Sequence, residues 1–268
     1  MKKYIIIVIF TILLVSSLTT ALETSVWESS NIGREDFTHA VFAEDASTTW
    51  CTYCPITSRA LYSIYNSSEY PFNYVTLLSN VNPIAQSRTR QLNVYSIPIV
   101  YFDGGVSTKT GAVQETEYRS LLEETGIRSV ARPLDMTTNV TWEDNATMTI
   151  TISITNNGNL FYLGILKSYI TEIESRWLDL DGDPFHFALL DFAFKKIVFI
   201  RPGKTFTDSV VWDGTEIHGN QTFEDITQDN IMVISIASHW VPHLKRTDTD
   251  RIFLAFYVDQ TSAAVPSN

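Results

Sequence analysis

The chain divides into three stretches by the rhythm of its apolar positions. An apolar run, Tyr4 to Phe10 and on through Leu13, Leu14 and Val15 past Thr11, follows Lys2 and Lys3 and gives way to the small residues Ser16, Ser17, Thr19, Thr20 and Ala21. A positive end, a short apolar core and a small-residue exit form the pattern of a secretory signal peptide over residues 1–21. Cleavage after Ala21 fits that pattern. An uncleaved anchor is the alternative, because residues 4–21 are just long enough to cross a bilayer as a helix. Either way the rest of the chain is expected outside the cytoplasm, as a secreted, cell-surface or outward-facing anchored protein.

Next comes a stretch of short alternating elements. His39 to Glu44 reads as a strand, and Pro55 to Tyr65 carries Ile56, Ala60, Leu61, Ile64 and Tyr65 at helical spacing. Phe72 to Leu78 is rich in β-branched and aromatic residues, so a second strand is expected there. Pro83 opens a second helix through Leu92, Ile97 to Phe102 forms a third strand, and Asp103-Gly104-Gly105 turns it into a hairpin. A last helix over Gln114 to Thr125 stops at Gly126. This order predicts an α/β module over residues 22–130.

From Pro133 onward the period is two. Met148 to Thr155 alternates almost perfectly, Asn156-Asn157-Gly158-Asn159 supplies a turn, and strands are expected over 162–173, 185–199, 205–212, 231–237 and 252–258. Regular strands with turn clusters and no long helix predict an all-β domain over 131–268, a β-sandwich of immunoglobulin-like type.

The 268 residues are enough for two such domains. A net charge of −11 argues against nucleic acid as a partner, since binding to phosphates rewards a basic surface. There are two cysteines, three residues apart. That excludes a scaffold stapled by several disulfides and leaves a local role for the pair. Four triplets headed by Asn66, Asn139, Asn145 and Asn220 have the glycosylation pattern, which suits an exported chain.

The chemistry concentrates in Trp50-Cys51-Thr52-Tyr53-Cys54-Pro55, between the first strand and the first helix. A helix N-terminus stabilises a thiolate through its free N–H groups and its dipole. Cys51, at the exposed end, is expected to attack, and Cys54, one turn in, to resolve a mixed disulfide. The competing reading is a static disulfide in a surface-binding or structural protein. His239 and His243 have a metal-like spacing, but Pro242 between them breaks any helix that would align their rings, so loop residues are expected. Asp179-Leu180-Asp181-Gly182-Asp183 lacks the twelfth-position Glu of a helix–loop–helix calcium site and reads as a solvated turn. No metal and no cofactor are expected.

The Trp50–Pro55 motif resembles the active site of thioredoxin-like proteins, and Ile97-Pro98 resembles that superfamily's cis-proline segment. The likeness covers about residues 36–130. It implies that Asp45 is a buried acid assisting proton transfer, with Glu44 taking that role if the spacing slips by one. It also implies that Ile97 and Pro98 face the disulfide and offer backbone to an extended peptide, beside Trp50 and Tyr53. The whole chain is similar to the outer-membrane-protein-28-related family of exported proteins, in which a β-sandwich follows such a domain. Thr52-Tyr53 departs from the residues that usually separate the two cysteines, and no His stands there to favour an oxidising pair. The resulting expectation is an exported thiol–disulfide oxidoreductase acting on exported proteins that carry thiols or disulfides.

Overall fold

A computed structural model of the protein describes residues 36–129 and 132–267. The expected signal or anchor segment lies outside the described residues. Among the described residues no helix is long and apolar enough to cross a membrane.

The first half runs β1 (Val41–Ser47), α1 (Cys54–Ser67), β2 (Phe72–Leu78), α2 (Pro83–Gln91), β3 (Ile99–Phe102), β4 (Ser107–Thr110) and α3 (Glu115–Gly126). The second half is built of strands: β5 (Leu134–Asp144), β6 (Thr147–Asn156), β7 (Tyr162–Leu178), β8 (Pro184–Ile200), β9 (Thr205–Asp213), β10 (Ile231–His239), β11 (His243–Arg246), β12 (Ile252–Ala255) and β13 (Val258–Ala264). The fold is therefore β-rich, and among the described residues its α-helices are confined to the first half, the second half adding one short 3-10 turn, Gln228–Asn230.

The helices follow from their sequences with one adjustment. α1 buries Cys54, Thr57, Ser58, Leu61 and Ile64, a stripe at three- and four-residue spacing, and turns Ile56 outward instead. α2 starts where the Asn82 side chain accepts the Ile84 N–H at 2.8 Å, ahead of which Pro83 loses nothing by lacking its own N–H. Three places escape the pattern-based expectation: β5, β11, which forms where loop residues are expected, and the strand expected over 252–258. β5 buries Leu134, Thr138 and Val140 between polar residues, so its inner row contains a threonine and its apolar alternation is broken. The single strand expected over 252–258 is two, because the chain breaks at Phe256–Tyr257 and β13 continues to Ala264. Gly104, at φ +67°, sits where any Cβ would run into the Phe256 carbonyl, so the β3–β4 turn and this break fit only with glycine.

An eight-stranded mixed sheet runs in the order β13-β10-β7-β8-β2-β1-β3-β4 and takes strands from both sides of the expected 130/131 boundary. β1 and β2 are parallel, while β3 pairs antiparallel with β1 and with β4. β8 joins the free side of β2 through one parallel pair, Thr76 with Ala188, and the Thr76 hydroxyl donates to the His186 carbonyl at 2.9 Å. Asn82 reinforces this seam by donating to the Leu189 and Leu190 carbonyls at 2.6 and 2.9 Å. One apolar core accordingly combines Phe42, Leu61, Tyr74 and Leu122 with Tyr169, Phe187 and Ile234.

The second core is sandwich-like. A three-stranded sheet, β5-β6-β9, buries Met148, Ile150, Ile152 and Ile154 of β6 against Leu166, Ile170, Leu190 and Phe194 of β7 and β8. The opposite row of β6 is solvated and zipped to β9 by hydroxyl pairs, Thr151 with Ser209 and Thr155 with Thr205, each at 2.8 Å.

Candidate functional site

β1 ends at Ser47, and a tight turn carries the chain to α1, whose N-cap is Tyr53. The turn is fastened to the β2–α2 connection by Asn80, which accepts the Thr49 N–H at 3.1 Å and donates to the Thr49 hydroxyl at 2.7 Å. Cys51 and Cys54 form a disulfide across this junction, with their Cα atoms 5.4 Å apart. The Cys54 N–H, at the start of α1, donates to Cys51 Sγ at 3.1 Å. No acidic side chain occupies the first turn of α1, so the positive end of its dipole is uncompensated there.

The disulfide packs against Leu78, Phe185 and Ala188, with Val81, Ile97 and Trp177 around them. Cys54 is fully buried and Cys51 is 5% exposed, whereas Trp50 and Tyr53 on either side of Cys51 are each 63% exposed. The Ile97–Pro98 peptide is cis. Pro98 is buried, and its carbonyl accepts the Gly111 N–H at 2.8 Å. The structure thus brings together Cys51, Cys54 and Ile97, and adds Phe185 and Trp177 from the second half. Nothing in the local pattern around residues 177–185 marks them as neighbours of a cysteine pair more than 120 residues earlier.

The two adjacent acids of β1 are in opposite situations. Both are fully buried. Glu44 accepts two hydrogen bonds from Arg88 of α2, at 2.7 and 2.6 Å, and one from the Tyr169 hydroxyl at 2.9 Å. Burial by itself would raise its pKa, but the Arg88 guanidinium, with Lys167 and Tyr169, outweighs burial and holds the carboxyl below its ordinary range. Neither oxygen of Asp45 has a hydrogen-bond partner among the described residues. Burial pushes the Asp45 carboxyl up to about 7. The hydroxyl of Tyr74, also buried without a partner, is raised well above its usual value by burial first and by the Asp45 charge next. Tyr118, bonded to Thr57 of α1, feels the same charge. Asp45 therefore faces α1 and α3, and Glu44 faces α2. The acid able to hold and release a proton near pH 7 is Asp45.

The remaining sequence candidates are scattered. Asn66 lies on α1, Asn139 on β5, Asn145 in the β5–β6 turn and Asn220 in the β9–β10 connection, all four exposed. In the 179–183 turn the Asp179 carboxylate accepts the N–H groups of Asp181 and Asp183 at 2.9 and 3.0 Å, which ties the turn to itself. His239 and His243 differ from expectation. Pro242 prevents a helix, yet the turn from β10 to β11 still aligns the rings, with Nε2 atoms 3.0 Å apart. Among the described residues no group of three or more His, Cys, Asp or Glu side chains could hold a metal ion.

No protein-family model matches the sequence, and no curated protein matches it. Among solved structures the chain is similar to HBP35 of Porphyromonas gingivalis, at 11% identity and a TM-score of 0.59, over 86% of this chain and 76% of that one. A structural-genomics protein from Agrobacterium tumefaciens aligns at 11% identity and a TM-score of 0.45, over 86% of this chain and 96% of that one. A Kluyveromyces marxianus beta-glucosidase aligns at 10% identity and a TM-score of 0.28, over 52% of this chain and 14% of that one. At these identities the likeness to HBP35 concerns the fold.

Proposed function

We propose that the protein is an exported thiol–disulfide oxidoreductase built on a thioredoxin-like module. The order of β1 to α3, the mixed pairing of β2-β1-β3-β4 and the cis Ile97–Pro98 peptide support the thioredoxin-like reading. The observation that carries the redox reading is the Cys54 N–H aimed at Cys51 Sγ at an uncompensated helix N-terminus. When the pair is reduced, that contact stabilises negative charge on Cys51, the more exposed sulfur, and makes it the attacking thiolate.

In the reducing direction Cys51 attacks one sulfur of a client disulfide and expels the other as a thiolate. Asp45, with a carboxyl titrating near 7, takes the Cys54 proton. Cys54 then attacks Cys51, the client leaves with two thiols, and the Cys51–Cys54 disulfide is formed. A client dithiol runs the same steps backwards and leaves with a disulfide. Trp50, Tyr53 and the half-buried Ile97 form the surface that receives the client, with the buried Pro98 fixing the backbone next to Ile97.

The test is the reduction potential, measured in glutathione buffers, together with turnover of a model protein disulfide. A potential above about −300 mV, with turnover that Cys51→Ser abolishes and a mixed disulfide that Cys54→Ser traps, is the expected result. A lower potential with no turnover would replace this reading with its competitor, a binding or structural protein holding a static disulfide. The near-complete burial of both sulfurs is what favours that competitor.

A further inference from the structure

An apolar hollow lined mainly by the second half shares no residue with the surroundings of the disulfide, and its chemistry is not used by the redox reading. About 480 Å³ in volume, it is lined by Phe161, Leu163, Trp240, Val241 and Tyr257, by the His239–His243 pair, and by Arg128 and Arg132. The imidazoles make a rigid wall. His239 bonds the buried Asp259 carboxylate through Nδ1 at 3.1 Å, its Nε2 meets the Nε2 of His243, and the His243 ring stacks on Tyr257 with centroids 4.0 Å apart.

In a chain of net charge −11, this hollow is locally cationic. Arg128 lies over the Tyr257 ring at 5.7 Å and Lys245 over the same ring at 6.0 Å. Burial, and then the charges of His239, Lys245 and Arg128, push the His243 imidazole below its usual pKa, so the ring itself reports the positive field. The nearby carboxylates are already engaged, Asp259 by His239 and Asp103 by His39 and Arg128. Arg132 forms no ion pair among the described residues. The Nε–H of Arg128 is buried and has no acceptor among them.

The geometry points to a binding site for a small amphipathic carboxylate, its apolar body against Phe161 and Trp240 and its head group on Arg132, in the positive field to which Arg128 contributes. Aromatic and aliphatic walls with a few convergent donors are the usual make-up of such sites. A carboxylate held by arginine gains a charge-assisted hydrogen bond that a neutral head group lacks.

Calorimetric titration of the protein with decanoate, and with decanol as a neutral probe of the same body, tests this. Decanoate should bind at least about tenfold more tightly than decanol. Arg132→Gln should remove about that factor for decanoate alone, Arg132→Lys should keep most of it, and Trp240→Ala should weaken both probes. Equal affinity for the two probes, no binding of decanoate up to about 1 mM, or an unaltered Arg132→Gln variant would overturn the proposal. Zinc binding that decanoate does not displace would overturn it too, in favour of a metal held by His239 and His243.

Discussion

The two faces of β1 handle the same problem in opposite ways. On the α2 face, Glu44 is buried and supplied with three hydrogen bonds and a guanidinium. On the face toward α1 and α3, Asp45 is buried and supplied with none among the described residues. A buried charge with partners is a structural element, whereas one without them shifts its pKa until it is neutral. The first arrangement ties the first half to β7 through Tyr169. The second costs stability at neutral pH and retains a titrating proton on the strand that leads to Cys51. The difference leaves one face with a fixed ion pair and the other with a carboxyl that titrates near 7.

The largest expected effect comes from removing the Glu44 partner. Arg88→Ala leaves an uncompensated buried carboxylate and should destabilise the protein by about 3–5 kcal/mol in urea unfolding at pH 7. A loss below about 1 kcal/mol would mean that the α2 face is not held together by charge.

The Asp45 face should respond with the opposite sign. Its folded pKa, about 7, lies above the ordinary value of 3.8, so the folded protein binds the extra proton between those two pH values. Stability is then greatest below pH 3.8 as far as this group is concerned, and is lost as pH rises to 7. Between pH 5 and pH 8 the loss is about 3 kcal/mol. Asp45→Asn should abolish that slope in paired urea titrations and should also slow release of the mixed disulfide. A slope that survives the substitution would transfer the titration to another group. Tyr169→Phe is smaller, since it removes one hydrogen bond to a charged acceptor, and about 2 kcal/mol is expected from the same unfolding measurement at pH 7.

How much of this was legible in the chain follows from what range of interaction each feature rests on. The strand–helix order of the first half, the cysteine pair at the start of α1 and the Pro98 segment all rest on local pattern, and the sequence carries local pattern openly. Asp45 and Glu44 stand side by side, and no spacing rule separates them. Their roles depend on Arg88 and Tyr169, which arrive from 44 and 125 residues away. The seam through Thr76, Asn82 and β8 is similarly invisible, because a single polar pair in register carries it rather than an apolar stripe. β5 was hidden by a threonine in its buried row. His239 and His243 show the limit of a rule applied correctly. Proline does forbid the helix, but a turn between two strands achieves the same approach of the rings.

The smallest stability effect, and the cleanest separation of chemistry from architecture, should come from the rim of the disulfide. Trp50 and Tyr53 are each 63% exposed and bury little that folding depends on. Replacing either by Ala should alter stability by no more than about 0.5 kcal/mol. If these rings receive a client chain, the same substitutions remove apolar contact area on binding, and KM for a protein disulfide should rise about threefold to tenfold. Exchange with glutathione, which is too small to span the rim, should be unaffected, since Cys51 Sγ and the Cys54 N–H are untouched. The two rates measured on one variant distinguish the cases. A fall in both would place the rings in the chemistry of the pair, and a fall in neither would leave them as surface without a client.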